Sequence, residues 1–159
     1  MPGSFGAYDI YVADIQRDGS LGVAKNLGEK VNTRKNELYP QLLDDQLLFF
    51  ASEGHNGLGG LDLYAVQVAA KRVGLAVNVG SPFNSGKDDY ALRLTQEKGR
   101  AYVMSNRATQ SDVVQELVFA YNTLDNSRLA DNGDYRFLEL RPLENTPQYT
   151  NTVFEDHED

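Results

Sequence analysis

Residues 26–37 read NLGEKVNTRKNE and residues 78–89 read NVGSPFNSGKDD, so one polar pattern occurs twice at an offset of 52 residues. Two apolar stretches that flank this pattern are also repeated, each at an offset of 53: residues 8–12 (YDIYV) as 61–65 (LDLYA), and residues 48–52 (LFFAS) as 101–105 (AYVMS). Three matches in one order and at nearly one spacing indicate an internal repeat. Residues 116–119 (ELVF) are predicted to be a decayed third copy, with Glu116 at the position of Asp62 and an offset of 54.

Each copy has the pattern of several short strands separated by turns. The predicted strands are rich in Val, Leu, Ile, Phe and Tyr, and they cover residues 8–15, 38–43, 46–52, 61–69, 75–79, 90–95, 99–105 and 114–121. Turn residues lie between them, as at 17–20 and 43–46, and no stretch shows a helical period. Four short strands in about 50 residues, repeated, are typical of a β-propeller blade. The predicted fold is therefore all-β: a partial β-propeller of two to three four-stranded antiparallel blades over residues 6–122.

The motifs resemble a known family of repeats. The order YDIY (8–11), NLG (26–28), VNT (31–33), LFFAS (48–52) and GLGGLDLY (57–64) is similar to the WD40-like, TolB-like propeller repeats of bacterial envelope proteins. The nearest resemblance is to large Bacteroidetes proteins of the OmpA family, including the PorE-like components of type IX secretion. There the repeats lie between a tetratricopeptide region and a peptidoglycan-binding domain. The resemblance covers about residues 6–122, but Leu21 stands where the family usually has Trp.

Charge separates the chain into two regions. Residues 1–122 carry 12 basic and 14 acidic side chains, a net of −2, whereas residues 123–159 carry 3 and 9, a net of −6. The second region is predicted to be an acidic linker or extended arm with one strand at 135–140. A net charge of −8 argues against nucleic acid as a partner. No apolar run reaches the roughly 18 residues that span a bilayer, and we expect no signal peptide, since residues 1–6 contain neither a basic nor an apolar region.

The side chains that recur in the repeat are candidate structural positions: Asp9, Asn32, Asp62, Asn84 and Glu116. Carboxylates at strand starts beside glycines could bind a metal or a substrate. Alternatively, they accept hydrogen bonds from loop amides and fix the edge of a blade. Recurrence favours the structural interpretation, and Asn32 and Asn84 are interpreted in the same way, as side chains that fix a turn.

The glycine-rich loop of residues 54–60 (GHNGLGG) is the second candidate region, with His55 and Asn56 as possible loop contacts. A phosphate-binding loop needs a helix after it and a suitably placed Lys. Here a strand is predicted next, so an inter-strand loop with positive φ angles is the simpler interpretation. His55 could be a ligand or a base, but the second histidine of the chain, His157, lies in the acidic tail.

Metal and nucleophile motifs are weak in this sequence. The acidic pairs at 44–45 and 88–89 lack the alternating oxygen ligands of a calcium loop, and residues 131–134 (DNGD) come nearer but lack the late Glu. Ser52 and Ser105 lie in predicted strands without a nucleophile elbow. We therefore expect no catalytic residue, no metal and no cofactor.

The repeat count predicts an incomplete propeller, because residues 6–122 hold about 2.2 repeats and propellers close with at least four blades. Two sheet faces would then be open and lined by apolar side chains such as Phe49, Tyr64 and Tyr102, unless further blades of a longer chain or a partner protein cover them. The expected function is a non-enzymatic scaffold or protein-interaction module of a cell-envelope assembly, at the periplasm or the outer-membrane periphery. Its association with peptidoglycan would come through other domains. The alternatives are a propeller glycoside hydrolase and a carbohydrate- or peptidoglycan-binding module.

Overall fold

The computed structural model describes residues 3–69, 72–95, 100–108 and 113–120. Within these ranges the secondary structure is strand and turn without a helix, which confirms the all-β prediction for the described part of the chain. The strands are β1 (Tyr11–Val12), β2 (Lys25–Asn26), β3 (Glu37–Leu43), β4 (Leu47–Ser52), β5 (Asp62–Ala69), β6 (Arg72–Val73), β7 (Val77–Asn78), β8 (Asp89–Thr95), β9 (Arg100–Ser105) and β10 (Gln115–Ala120).

The strands form three antiparallel sheets in chain order. β1 pairs with β2 in the first sheet, β3, β4 and β5 pair side by side in the middle sheet, and β8, β9 and β10 pair side by side in the third. The outer edge of β5 pairs with β6 and, further along, with β7. The prediction of antiparallel sheets is thus confirmed.

Strand register repeats along with the sequence. Tyr11 pairs with Asn26 in the first sheet as Tyr64 pairs with Asn78 in the middle sheet. We call residues 5–54 the first copy and residues 58–107 the second copy. In the first copy, the paired strands β1 and β2 are followed by the β3–β4 hairpin, which belongs to the next sheet. In the second copy, the paired strands β5 and β7 are followed by the β8–β9 hairpin, which again belongs to the next sheet. Each sequence copy therefore spans parts of two sheets.

The third copy is aligned differently from the sequence prediction. Gln115 pairs with Ser105 in the third sheet as Asp62 pairs with Ser52 in the middle sheet. Gln115, at an offset of 53, therefore takes the position of Asp62, and the assignment of Glu116 to that position is wrong by one residue. The correction is physical, because a shift of one residue moves a side chain to the opposite face of its sheet.

The predicted strands match six long observed strands to within about two residues at each end, but they overestimate the first one. Residues 8–15 were expected to be one strand, and only Tyr11–Val12 pair as a strand, with single bridges from Tyr8 to Asn36 and from Ile15 to Leu21. Within the described part of the chain, β1 is hydrogen-bonded to a strand on one edge only, whereas β5 has partners on both. Pairing on one edge is also true of the longer strands β3, β8 and β10 there and does not by itself explain the short β1. The short strands β2 and β6 were not predicted.

The core lies on both faces of the middle sheet, and all six residues of β4 are buried. Side chains alternate between the two faces. One face packs against the third sheet in a cluster that includes Phe49, Leu63 and Val103. The other packs against Ile10 and Val31 in a cluster that includes Phe50 and Tyr64.

This packing corrects one expectation about the open faces. Phe49 and Tyr64 are each only 2% exposed, because they lie between sheets rather than on an outer face. Tyr102 is half-buried, and the guanidinium carbon of Arg93 lies 4.3 Å from the centre of its ring. Tyr102 and Phe49 occupy the same position of the repeat. The ring of Tyr102 is covered by a cation of its own sheet, whereas the ring of Phe49 is buried between two sheets.

The acidic arm at 123–159, its predicted strand at 135–140, the DNGD turn at 131–134 and His157 lie outside the described residues.

Candidate functional site

A polar network around Asn32 joins the loop of the first copy to β1. Asn32 is 1% exposed. Its Oδ1 accepts a hydrogen bond from the amide of Ile10 at 2.8 Å, and its Nδ2 donates to the carbonyl of Ile10 at 2.9 Å and to Oδ1 of Asn26 at 2.7 Å. Asn26 Oδ1 also accepts from the amide of Gly28 at 2.7 Å. The buried side-chain amide of Asn32 therefore bonds both backbone polar groups of Ile10, whose carbonyl also accepts from the amide of Leu27 at 3.2 Å.

The second copy contains the same network at Asn84. Its Oδ1 accepts from the amide of Leu63 at 2.7 Å, and its Nδ2 donates to the carbonyl of Leu63 at 2.9 Å and to Oδ1 of Asn78 at 2.8 Å. Asn78 accepts from the amide of Gly80 at 2.8 Å. All four hydrogen bonds recur at an offset of 52 or 53 residues, so the sequence repeat is also a repeat of side-chain chemistry.

Asp9 closes the loop before β1. Its carboxylate accepts hydrogen bonds from the amides of Phe5 at 2.7 Å and Gly6 at 2.9 Å, and from Nδ2 of Asn26 at 2.8 Å. Burial raises the pKa of Asp9, but these hydrogen bonds, with one from Ser4, lower it by more, so the pKa lies below its ordinary value. Asp9 is thereby kept ionised as an acceptor for the loop.

Asp62 occupies the equivalent position before β5 with fewer donors. The amide of Gly59 donates to its Oδ2 at 2.9 Å, as the amide of Gly6 donates to Asp9. Asp62 is 1% exposed, and its Oδ1 has no hydrogen-bond partner among the described residues. A side chain at Gly57 would overlap this carboxylate, which explains a glycine at that point of the loop.

A second buried carboxylate in each copy fixes the turn before the inner hairpin. Glu37 accepts from the amide of Thr33 at 2.8 Å, from its hydroxyl at 2.6 Å and from the hydroxyl of Ser52 at 2.8 Å. Asp89 accepts from the amide of Ser85 at 2.6 Å and from its hydroxyl at 3.0 Å. Both carboxylates are at most 2% exposed, so each depends on these buried donors for its hydrogen bonds.

The two copies differ in what faces this carboxylate. In the second copy, the guanidinium of Arg107 donates to Oδ1 of Asp89 at 2.6 Å, to the carbonyl of Pro82 at 2.7 Å and to the carbonyl of Phe83. In the first copy, Nε2 of His55 lies 2.8 Å from the carbonyl of Val31, which is equivalent to that of Phe83. A carbonyl only accepts, so Nε2 carries the proton.

His55 also packs between two aromatic rings. Its ring centre lies 4.9 Å from that of Tyr64 and 6.1 Å from that of Phe50. The hydroxyl of Tyr64 donates to the carbonyl of Asn56 at 2.6 Å, and burial raises the pKa of this phenol. His55 and Asn56 thus bind the loop to the core of the protein.

A further pair exchanges its groups between the copies. Asn36 donates to Glu53 Oε2 at 2.9 Å in the first copy, whereas Asn106 donates to Asp88 Oδ2 at 3.1 Å in the second. The amide and the carboxylate have changed places, and the hydrogen bond is retained.

The structure brings some predicted residues together and separates others. Asp9 and Asn32 both form a hydrogen bond with Asn26. Asp62 lies one repeat further along the sequence, in the second copy. The sequence analysis missed five residues that carry the networks: Asn26, Asn78, Glu37, Asp89 and Arg107. Four of these lie inside the repeated stretches, so the signal was present. Arg107 has Gly54 as its counterpart, so no repetition indicates it.

The chemistry of these networks is that of loop fixation. The hydroxyl of Ser52 donates to Glu37 and accepts from the amides of Gly54 and His55 at 3.0 and 3.3 Å, and Ser52 is 1% exposed. Its lone pairs and proton are thus occupied within the protein. Across the described ranges, the structure contains no group of three or more His, Cys, Asp or Glu side chains that could hold a metal ion.

Comparison of the sequence with protein-family models finds no match, and comparisons with curated proteins and with solved structures find none either. None of the described segments forms a helix of the length and apolar character needed to cross a membrane.

Proposed function

We propose that this chain is a non-enzymatic segment of a β-propeller that acts as a protein-interaction scaffold in a bacterial cell-envelope assembly, at the periplasm or the outer-membrane periphery. Two to three blades of four strands would be formed from the repeat, with completion by further blades of a longer chain or by a partner protein. The envelope location is supported by the resemblance to TolB-like repeats of OmpA-family proteins, and peptidoglycan association would come through other domains.

One observation carries the proposal: the networks of Asn32 and Asn84 are the same, and both are devoted to the backbone of their own repeat. A catalytic or ligand-binding site places special side chains once, at the point of chemistry. In this chain the same side chains make the same internal contacts in both copies. This is typical of a repeat architecture that binds a partner through its surface rather than through its buried polar groups.

The glycoside hydrolase alternative needs two carboxyl groups facing each other across a substrate, roughly 5 to 10 Å apart. The buried carboxylates of Glu37 and Asp89 each accept hydrogen bonds from their own turn instead. The test is turnover of a panel of chromogenic glycosides by the full chain. The scaffold proposal expects rates equal to those of the Glu37→Gln and Asp89→Asn variants, and hydrolysis that depends on either acid would contradict it.

The carbohydrate-binding alternative has one specific observation in its favour. Tyr39 is 51% exposed, and its ring packs edge-on against that of Tyr90 with 6.1 Å between the centres. Aromatic faces of this kind bind sugar rings. Sedimentation with purified peptidoglycan sacculi separates the proposals: the scaffold expects the chain to stay in the supernatant. Co-sedimentation that is lost in Tyr39→Ala would favour the sugar-binding alternative.

Incomplete blades also predict a measurable surface. The isolated chain should bind a hydrophobic dye or self-associate in light scattering, because apolar side chains at its open end lack a neighbouring sheet. A monomer that unfolds cooperatively and does not bind the dye would contradict the half-propeller architecture.

A further inference from the structure

We infer that the surface formed by β1 and the outer side of β3 is a docking site for one more β-hairpin of the β3–β4 type. The inference rests on the proposed function and names the segment that completes the first sheet. Its evidence is a comparison of equivalent positions, because the second copy shows what the same surface looks like when a hairpin covers it.

The first part of this surface is the free edge of β1. Tyr8 is 64% exposed and Val12 is 50% exposed, whereas their counterparts Leu61 and Ala65 are 7% and 0% exposed. β5 is covered along this edge by β4, which pairs with it over six residues from Leu47 to Ser52. Among the residues that the structure describes, β1 pairs with β2 alone. The positions that are exposed in the first copy are therefore those that β4 buries in the second.

The second part is on β3. Leu42 pairs with Leu48 as Leu94 pairs with Ala101, so Leu42 and Leu94 are equivalent. Leu42 is 54% exposed, whereas Leu94 is partly buried against the core that it shares with the middle sheet. In that interface β8 contacts β3, β4 and β5 together. A hairpin beside β1 would contact β3 in the same way.

Other exposed apolar residues do not belong to this surface. Val23 is 84% exposed and its counterpart Leu75 is 69% exposed, and Phe5 and its counterpart Leu58 are 46% and 60% exposed. Their exposure is the same in a covered copy, so no hairpin is needed to explain it. Val23 is thus a natural control for Val12.

The loop before β1 identifies how the hairpin is connected. In the second copy, two hydrogen bonds fix the loop that leads from β4 into β5. The amide of Gly59 donates to the carboxylate of Asp62, and the amide of Asp89 donates to the carbonyl of Leu61 at 2.8 Å. In the first copy, the amide of Gly6 donates a hydrogen bond to the carboxylate of Asp9, and the amide of Glu37 donates to the carbonyl of Tyr8 at 2.8 Å. Residues 3–8 already have the hydrogen bonds of a hairpin-to-strand loop.

The occupant is therefore a hairpin whose second strand runs into residues 3–8 within the same polypeptide. It extends an interface that already exists, in which Ile10 and Val31 pack against Leu48 and Phe50. By the register of the second copy, its second strand would be apolar and would end with a small hydroxyl residue opposite Asp9, as Ser52 lies opposite Asp62. Its first strand would begin with an acidic residue, as at Glu37 and Asp89.

The test is a fusion in which a copy of residues 36–55 replaces Met1 and Pro2 and is joined directly to Gly3, which reproduces the loop length of the second copy. We expect the melting temperature to rise by more than about 5 °C, since about 1 kcal/mol shifts a small domain by several degrees. We also expect dye binding to fall and hydrogen exchange at Tyr11 and Val12 to slow. A control fusion carries Phe49→Asp in the added copy only, because the Phe49 side of this hairpin faces the next sheet along the chain.

Two variants locate the site. Val12→Asp and Leu42→Asp should each remove most of the gain that the fusion gives, whereas Val23→Asp should leave it intact. A fusion without a gain in melting temperature or protection, or a gain equally large in the control fusion, would overturn the inference. Glycoside turnover or binding to sacculi would contradict the proposed function and leave the melting result unchanged, so the two failures are distinguishable.

Discussion

The first copy (residues 5–54) and the second copy (residues 58–107) hold their asparagine networks through matching hydrogen bonds, yet they balance the nearby carboxylates differently. Asp89 is paired with the guanidinium of Arg107, whereas the equivalent Glu37 faces hydroxyl and amide donors, and His55 takes over the contact to the backbone carbonyl. The two copies therefore share the geometry at Asn32 and Asn84 but differ in the charge around the neighbouring acid.

The largest expected effect comes from breaking the ion pair of the second copy. Arg107→Ala leaves Asp89, which is 0% exposed, without its cation, and we expect the free energy of unfolding to fall by about 3 to 5 kcal/mol. His55→Ala removes the first copy's contact to the equivalent carbonyl, and it should cost about 1 kcal/mol because one hydrogen bond and some ring packing are lost. Urea unfolding followed by circular dichroism measures both.

Arg107→Lys keeps a cation but cannot donate to Asp89, Pro82 and Phe83 in the same planar arrangement, so it should recover only part of the loss. Equal losses for Arg107→Ala and His55→Ala would show that the charge of the second copy has no special role.

The asparagine networks should respond alike in both copies. Asn32→Ala and Asn84→Ala remove the partner of the backbone amides of Ile10 and Leu63. The carbonyls of these two residues keep the hydrogen bonds from the amides of Leu27 and Val79, so we expect each variant to cost about 1 to 3 kcal/mol. The check is a pair of urea titrations, with the mutants differing by less than about 0.5 kcal/mol, which is the spread of independent sites. A clearly smaller loss at Asn32 would mean that the first copy is less rigidly assembled than its hydrogen bonds indicate.

A smaller effect is the pH dependence of the stability that Asp9 contributes to the first copy. Hydrogen bonds hold the pKa of Asp9 below 3.8 in the folded protein, so its contribution to stability is present above the unfolded-state pKa and is lost as the pH falls through the folded-state pKa. The difference in urea midpoint between the native sequence and Asp9→Asn should therefore be constant near neutral pH and shrink below about pH 4. Asp14→Asn, an exposed change of equal charge, is the control. A difference that grows on acidification would contradict the assignment.

The smallest effect concerns the turn between β3 and β4. Asp44 and Asp45 both have positive φ angles, 49° and 55°, which suits the two-residue turns of β-hairpins that favour glycine at the second position. Asp45→Gly should raise the unfolding free energy by up to about 1 kcal/mol, measured by thermal unfolding. The second copy has Gly99 in its equivalent stretch of sequence. Destabilisation by Asp45→Gly would indicate that the Asp45 side chain, rather than the backbone conformation, stabilises the turn.

Much of the strand pattern was predictable from the sequence, because β-rich composition between turn residues marks the strands. β4 and β5 are such strands, and they were located to within one residue. β1 was predicted too long: the residues around it have strand-like composition, but of the described residues 8–15 only Tyr11 and Val12 pair with β2. The register of β10 was wrong by one residue, because the third copy has lost the acidic residue that marks the position.

The site was less predictable than the fold. Asn32 and Asp9 could be chosen because they recur, but the choice did not say which groups they bind. Arg107 could not be found by repetition, since its counterpart is Gly54. The contact between His55 and Val31 spans 24 residues of sequence and follows from the path of the loop, which local pattern does not specify.

The sequence by itself determined an all-β chain with a repeat of 52 to 53 residues, because hydrophobic alternation and turn residues act locally and recur with the chain. Tertiary structure alone decided which of the equivalent residues are buried. Leu61 and Tyr8 occupy the same repeat position and differ from 7% to 64% exposed, because burial depends on whether a neighbouring strand is present. That dependence is a property of contacts between distant residues, and no single repeat encodes it.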